Sequence, residues 1–479
     1  MVTGQITPEE PSSRLYLTKR MMQRAARNAT ALLRESEELV EDEAAENGAI
    51  APVVPLKRES SAHVHIEGVY IRRLSSRLRI VFRLVQISGF LPIRLGQSGK
   101  PHLSQSVPAA LLSALSCVIC LGTFGFILLL ADGLRREFTM FNIMFITFII
   151  SGLKPGHGFF NLLCLGPAAR SAHVRVIKLM DSIDLKFREH FHITPSTRAT
   201  SVTFILITVL TAVLTCSLRI LEYVLLGSQP GQNYGNDISL FLVTFLSVWQ
   251  LLPLYYFIFI NHFAQFWFRM LEHQLKKDSK LKKRSMRFYY LHYYKLSLLI
   301  SNIGKLFDPF IFFSLSFSIV VLCLTIHFLS EVRGIQVFIP NQMEPFHKIA
   351  QAVFPLIWSL LQIFISFLYI IIICISGTRT NEQARAIART VLAIAPEEEK
   401  NRINAQWLLH RVNQQNCWGL SVWRAIPLER PLLFTLVSIM GTFAIVLLKL
   451  KEENKACPAA DLSKLFRLDH FTFNGTGPF

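Results

Sequence analysis

The sequence predicts an all-α, polytopic membrane protein, and three observations carry that prediction. Hydrophobic residues make up 51% of the chain and charged residues only 17%, with a mean hydropathy of +0.38. Seven apolar segments run for roughly 20 residues or more, the length that about 30 Å of hydrocarbon demands of a helix. Lys and Arg gather in alternate connecting loops, the pattern of a chain whose basic loops stay in the cytoplasm. The net charge of +18 is scattered between apolar segments, so no nucleic-acid partner is expected.

Residues 1–76 precede every apolar segment and lack the early apolar run of a signal peptide. A basic stretch from Arg14 to Arg34 runs into an acidic one from Glu35 to Glu46. A solvated, partly disordered cytoplasmic segment is expected there. The apolar segments follow at about 107–131, 138–164, 200–226, 237–263, 306–330, 349–376 and 431–450. In the second, Lys154-Pro-Gly-His-Gly158 interrupts the run, so a kink or early exit is expected. In the fifth, Asp308-Pro309 has the composition of a helix start, Asp308 capping and Pro309 in the first turn.

Basic residues set the orientation. They crowd before the first segment (Arg77, Arg79, Arg83, Arg94, Lys100) and after the second, fourth and sixth, whereas 227–236 has none. Arg135, Arg136, Arg333 and Lys348 run against the trend. The bias places the N-terminus in the cytoplasm and the C-terminus outside. Residues 451–479 then form an extracellular tail, where the sequon Asn474-Gly-Thr476 should carry a glycan that Asn28-Ala-Thr30 should not. Within the 77–450 domain, helices at about 264–305 and 377–430 lie in the cytoplasm. Ala384, Ile387, Ala388, Val391 and Leu392 share one apolar face. That face suits packing on the 288–305 helix or lying on membrane lipid.

Chemistry-bearing residues are sparse. No P-loop, HExxH, GxSxG or useful carboxylate pair occurs, so neither enzyme activity nor a cofactor is expected. Most of the eight cysteines lie in or beside apolar segments as small hydrophobes. Cys117-Val-Ile-Cys120 has no second pair or histidine nearby, which argues against a metal. The third segment holds Arg219 and Glu222 one turn apart, either a binding feature or a self-neutralising pair. Tyr223, Trp249, Gln250, His327, Gln351 and Trp358 share the outer halves with them. Rings with a few amides suit a small ligand with CH faces and hydroxyls, although each residue alone reads more readily as ordinary helix packing. On the last segment Thr435, Ser438, Thr442, Ile445 and Lys449 recur every three or four residues, one helical face. Such a stripe serves either close helix packing or a water-filled path.

Three stretches, Val85-Gln-Ile-Ser-Gly-Phe-Leu-Pro92, Leu306-Phe-Asp308 and Gly419 to Leu450, resemble the arthropod gustatory receptors of the insect chemoreceptor superfamily. The similarity covers about 78–452, and Leu306-Phe-Asp308 with Gly441-Thr442 leans towards the sugar-receptor branch. That family ends its last helix with Thr-Tyr, five apolar residues and Gln-Phe. Here Thr442 matches, Phe443 replaces Tyr, Ala444 to Leu448 supply the apolar five, and Lys449-Leu450 replaces Gln-Phe. The resemblance implies a multi-pass plasma-membrane subunit of seven helices, assembled as a homotetramer or as a heteromer with related receptors. It implies a ligand-gated cation channel that takes a small-molecule tastant in its outer half. Thr435, Ser438, Thr442, Ile445, Lys449 and Leu450 would then line a central pore. A ring of Lys449 would repel cations at low dielectric. A metabotropic receptor of opposite topology, a transporter and a non-conducting scaffold are the competing classes.

Overall fold

The computed structural model describes residues 63–66, 69–95, 101–105, 107–134, 143–226, 235–281, 284–335, 345–394 and 399–456. The N-terminal segment to residue 62, Asn474 and the rest of the tail beyond residue 456 lie outside the described residues. A short antiparallel hairpin, β1 (His63–Ile66) with β2 (Val69–Arg72), leads into α1 (Leu74–Arg77) and α2 (Arg79–Ile87). Helix α2 buries Val81, Phe82 and Val85 and ends where Ser88 Oγ donates to the Val85 carbonyl, 2.8 Å away. Gly89 follows at φ +84°. A Cβ there would lie 2.8 Å from Ser113 Cα, so backbone conformation and space both demand glycine. The turn drives Phe90, Leu91 and Ile93 into full burial. A second hairpin, β3 (Ile93–Leu95) with β4 (Pro101–Gln105), completes the approach to the helices.

The long helices are α3 (Val107–Leu134), α4 (Ile143–Leu165), α5 (Arg170–Phe191), α6 (Thr197–Leu226), α7 (Gly235–Leu281), α8 (Met286–Ile335) and α9 (Pro345–Ile394). After α10 (Glu399–Asn413) and α11 (Gln415–Trp418), a small hairpin of β5 (Ser421–Val422) and β6 (Ile426–Pro427) leads to α12 (Arg430–Ala456). The three hairpins among the described residues correct the expectation of a purely α fold; each is two-stranded and leads into a helix.

Helix α8 is the centre of the bundle. It packs on α4, α5, α7, α9, α10 and α12. Aromatic packing joins α7 to the first half of α8: Phe257 meets Phe307 at 5.2 Å and Phe268 meets Tyr293 at 5.7 Å. Tyr293 donates to the Ala384 carbonyl at 3.2 Å, so the 288–305 stretch does pack on the apolar face of α9. Ala384, Ile387 and Val391 are buried there, whereas Leu392 is 65% exposed at the rim. Amides line the α7–α9 seam. Gln265 Nε2 donates to Thr380 Oγ1 at 2.9 Å, and Asn261 Nδ2 to Ser376 Oγ at 3.3 Å.

The early exit expected in the second segment and the helix start expected at Pro309 are absent. Helix α4 runs through Pro155 to Leu165. Beside the proline, Gln250 Nε2 of α7 donates to the Lys154 carbonyl at 2.7 Å, which ties the two helices together. Helix α8 runs through Pro309 rather than starting at it. Leu306, Phe307, Phe310 and Ile311 are all buried around that proline, and this packing outweighs the lost backbone hydrogen bond.

Peripheral helices expose apolar faces. Leu111, Leu115 and Val118 of α3 and Val202, Leu206, Leu210 and Val213 of α6 are all more than half exposed. Continuous surfaces of this kind require lipid or protein cover. Among the described residues, Thr197–Leu214, Met286–Leu329 and Ser359–Ile394 are apolar windows long enough to cross a membrane, with shorter ones at Ala110–Gly125 and Arg430–Phe443.

Candidate functional site

Where α4, α7, α8 and α9 meet, the apolar bundle gives way to a small polar and aromatic cluster. His157, on α4, is buried with its Nε2 3.0 Å from Ser314 Oγ of α8. Its ring stacks on Phe317 at 5.2 Å and meets Tyr369 of α9 edge-on at 5.6 Å. Tyr369 donates its hydroxyl to the Gln250 carbonyl at 3.0 Å. Phe160 closes the side, stacked on Phe313 at 4.8 Å. One turn along α4 from His157, Asn161 is fully buried, and neither of its amide atoms has a hydrogen-bond partner among the described residues. A buried amide left without partners is costly, and a hydroxyl or carbonyl of a bound molecule would supply what it lacks. The cluster therefore offers ring faces, one imidazole and unsatisfied amide groups to a small organic molecule.

Of the two sequence-predicted binding residues whose side chains are described, Gln250 lies inside this cluster. His327 lies ten residues beyond Phe317 on α8, roughly 15 Å further along the helix from that ring. Arg219, Glu222, Tyr223, Trp249, Gln351 and Trp358 fall on α6, α7 and α9, but their side chains lie outside the described ones. Sequence reasoning missed His157, Asn161, Ser314 and Tyr369. His157 stood in the Pro-Gly-His-Gly run, which was read for its backbone consequences alone. Asn161, Ser314 and Tyr369 are single polar positions whose meeting depends on the packing of three helices.

Helix α12 is divided by face. Leu432, Leu436 and Met440 are buried against the bundle. Thr435, Ser438, Thr442, Ile445 and Lys449 are all exposed. At 100° per residue this second stripe centres about 140° from the first, on the far side of the helix. Thr435 and Thr442 donate their hydroxyls to the Pro431 and Ser438 carbonyls, both at 3.0 Å. The Leu450 side chain lies outside the described ones.

The foot of α12 is fixed by one asparagine that sequence reasoning also missed. Asn381 Nδ2 donates to the Leu420 and Leu428 carbonyls at 2.9 and 3.1 Å, and its Oδ1 accepts from Leu420 N at 3.0 Å. Gln415 Nε2 donates to the Asn381 carbonyl at 2.9 Å. Ion pairs frame this clamp: Arg430 with Glu382 at 2.7 Å, Arg385 with Glu429, and Arg424 with Asp308 at 3.5 Å.

Comparison with known proteins places the chain. Residues 78–453 match the 7tm chemosensory receptor family. A curated relative, "Probable G-protein coupled receptor egl-47" of Caenorhabditis elegans, is 30% identical over 329 residues, 67% of this chain. The matched region spans 62% of that relative's length. The structures of the insect olfactory receptor OR5 from Machilis hrabei, alone and in complex with eugenol, align with a TM-score of 0.50. They are 13% and 14% identical to this chain and cover 78% of it and 97% of their own length. At that identity the likeness shows the fold.

Proposed function

Because the chain belongs to the 7tm chemosensory receptor family, a family of membrane proteins, we propose that it is a gustatory receptor acting as a ligand-gated cation channel. The observation that supports this reading is the two-faced α12. Its Leu432, Leu436 and Met440 side is used by the bundle, and its hydroxyl side is exposed. In a tetramer, four such faces close on a shared axis. Thr435 and Thr442 give their protons to the helix backbone, which turns oxygen lone pairs towards a passing cation. A tastant, a sugar-like one in the branch the sequence resembles, sits among α4, α7, α8 and α9 beside His157 and Gln250. Arg219, Glu222, Tyr223, Trp249, His327, Gln351 and Trp358 lie towards the outer ends of those helices and of α6. Binding favours the open arrangement of α12 only as far as the ligand binds that state more tightly.

Lys449 stands where the resembling family carries Gln. Four ammonium groups there oppose cation flow. Ligand-evoked currents from cells that display the protein test the proposal, and Lys449→Gln should raise them severalfold. Silence from a surface-displayed tetramer across a broad tastant panel rules out the homomeric form. The printed name of the nematode relative favours a second reading, a metabotropic receptor. That reading predicts responses that survive pore block, with the N-terminus outside.

A further inference from the structure

The connection between α11 and α12 holds a cavity that the ligand site does not use. It measures about 120 Å3 and is lined by Asn381, Arg385, Gln415, Gly419, Ser421 and Arg424, among others. That is roughly eight times the ~15 Å3 needed by one water. Its amides are committed, since Asn381 and Gln415 hold the chain on either side. The guanidinium groups are not exhausted. Arg385 donates Nε to Gln415 and one Nη to Glu429. Arg424 turns Nε to Asp308 while its side chain stays 63% exposed. Arg385 and Arg424 are the charged residues of the lining, and their acidic partners Glu429 and Asp308 are not part of it.

The rim of the cavity is apolar and exposed. Trp423 meets Phe312 edge-on at 5.0 Å yet is 55% exposed; Ile426 is 51% exposed, and Phe434, in the first turns of α12, is 72% exposed. Trp423 and Arg424 both take positive φ, 52° and 56°, in a turn closed by Ala425 N donating to Val422 O at 3.0 Å. Two non-glycine residues in the left-handed region are strained. The strain sets an indole beside a guanidinium at the foot of a membrane helix. An indole among apolar side chains with arginines alongside is the composition of the bilayer interface.

We propose that this cavity binds the phosphate of an anionic lipid in the inner leaflet, held by Arg385 and Arg424, with Trp423 among the adjoining acyl chains. Planar guanidinium forks match phosphate oxygens in geometry and charge. The proposal rests on the reading that α12 crosses the membrane with its Arg430 end in the cytoplasm, and not on conduction. A bound phosphate competes with Glu429 and Asp308 for these two arginines, so lipid composition would bear on the seating of α12.

Native mass spectrometry of the full-length protein in detergent tests this without any current. The probes are phosphatidylcholine, a phosphatidylinositol bisphosphate, and separately the matching soluble inositol phosphate and inorganic phosphate. Phosphoinositide adducts should exceed phosphatidylcholine adducts about tenfold at equal concentration. Arg385→Gln and Arg424→Asn should each cut them severalfold; Asn suits the positive φ of position 424, so that variant keeps its turn. Arg402→Gln, on α10 and away from the cavity, should change nothing. Equal uptake of both lipids, or undiminished phosphoinositide adducts in both folded variants, overturns the proposal. Arginine-dependent binding of the soluble phosphates alone also overturns it, since the occupant is then not a lipid. Labelling of Ile426→Cys from either side of sealed vesicles reports separately whether the topology has failed.

Discussion

Gly89 and Asp181 show how single residues hold the N-terminal elements to the bundle. Any side chain at Gly89 strikes the backbone of α3 at Ser113. Gly89→Ala should therefore destabilise the fold by about 1–3 kcal/mol, read as a lower melting temperature in detergent. Asp181, on the cytoplasmic α5 of the proposed topology, accepts from Ser75 N at 2.8 Å and Ser75 Oγ at 2.7 Å. Burial nevertheless raises its carboxyl to about 6, outweighing those two donors. Asp184 is also pushed up by burial, against the pull of Arg188 and Arg77. A carboxyl raised on folding contributes stability that is full below the ordinary carboxylate range and lost as pH climbs through its folded value. Thermal stability should thus fall between about pH 4 and 7, by a larger step in the wild type than in Asp181→Asn. An identical pH profile for the two proteins would exclude this role for Asp181. Asn381 was out of reach of sequence reasoning for a different reason. Its partners Leu420 and Leu428 are 39 and 47 residues away, and nothing local announces a clamp across such a distance.

At the scale of elements, hydrophobic length and periodicity were the legible quantities. The described residues of each of the seven apolar segments fall on a helix, because burying apolar length while pairing the backbone leaves few alternatives. Helix continuity was legible in part: 288–305 reads as a helix entering the fifth segment, whereas Asp308-Pro309 within that segment signals a start. Residues 288–305 and 306–330 form one helix, as do 349–376 and 384–392. Proline and polar residues signal breaks by local rules, and tertiary packing around Pro309 and Thr378–Asn381 overrode them. The stripe on α12 was legible as a stripe, but its meaning was open because exposure depends on which face the bundle takes. Cysteine scanning addresses that meaning. If α12 lines a pore, a thiol reagent added from water should block current through Ser438→Cys and Thr442→Cys, and spare Leu436→Cys and Met440→Cys. Modification of the second pair alone would put the wet path on the opposite face.

At the scale of the molecule, the charge bias and the family membership lead to predictions of orientation and assembly. The detergent-solubilised particle should have the mass of four chains. A glycosidase-sensitive shift should depend on Asn474 and not on Asn28, and dependence on Asn28 would reverse the topology and favour the metabotropic reading. One feature of the bundle has a mechanical meaning. Helix α8 is a single rod of 50 residues, about 75 Å long, with Pro309 close to its midpoint. That proline removes one backbone hydrogen bond at the centre of the rod while aromatic packing grips the helix on either side. The arrangement is that of a lever on a fulcrum. A tilt of about 3° about the midpoint swings each tip by about 2 Å in opposite senses. A push at one membrane face would then arrive at the other with its direction reversed, without any helix bending or unwinding.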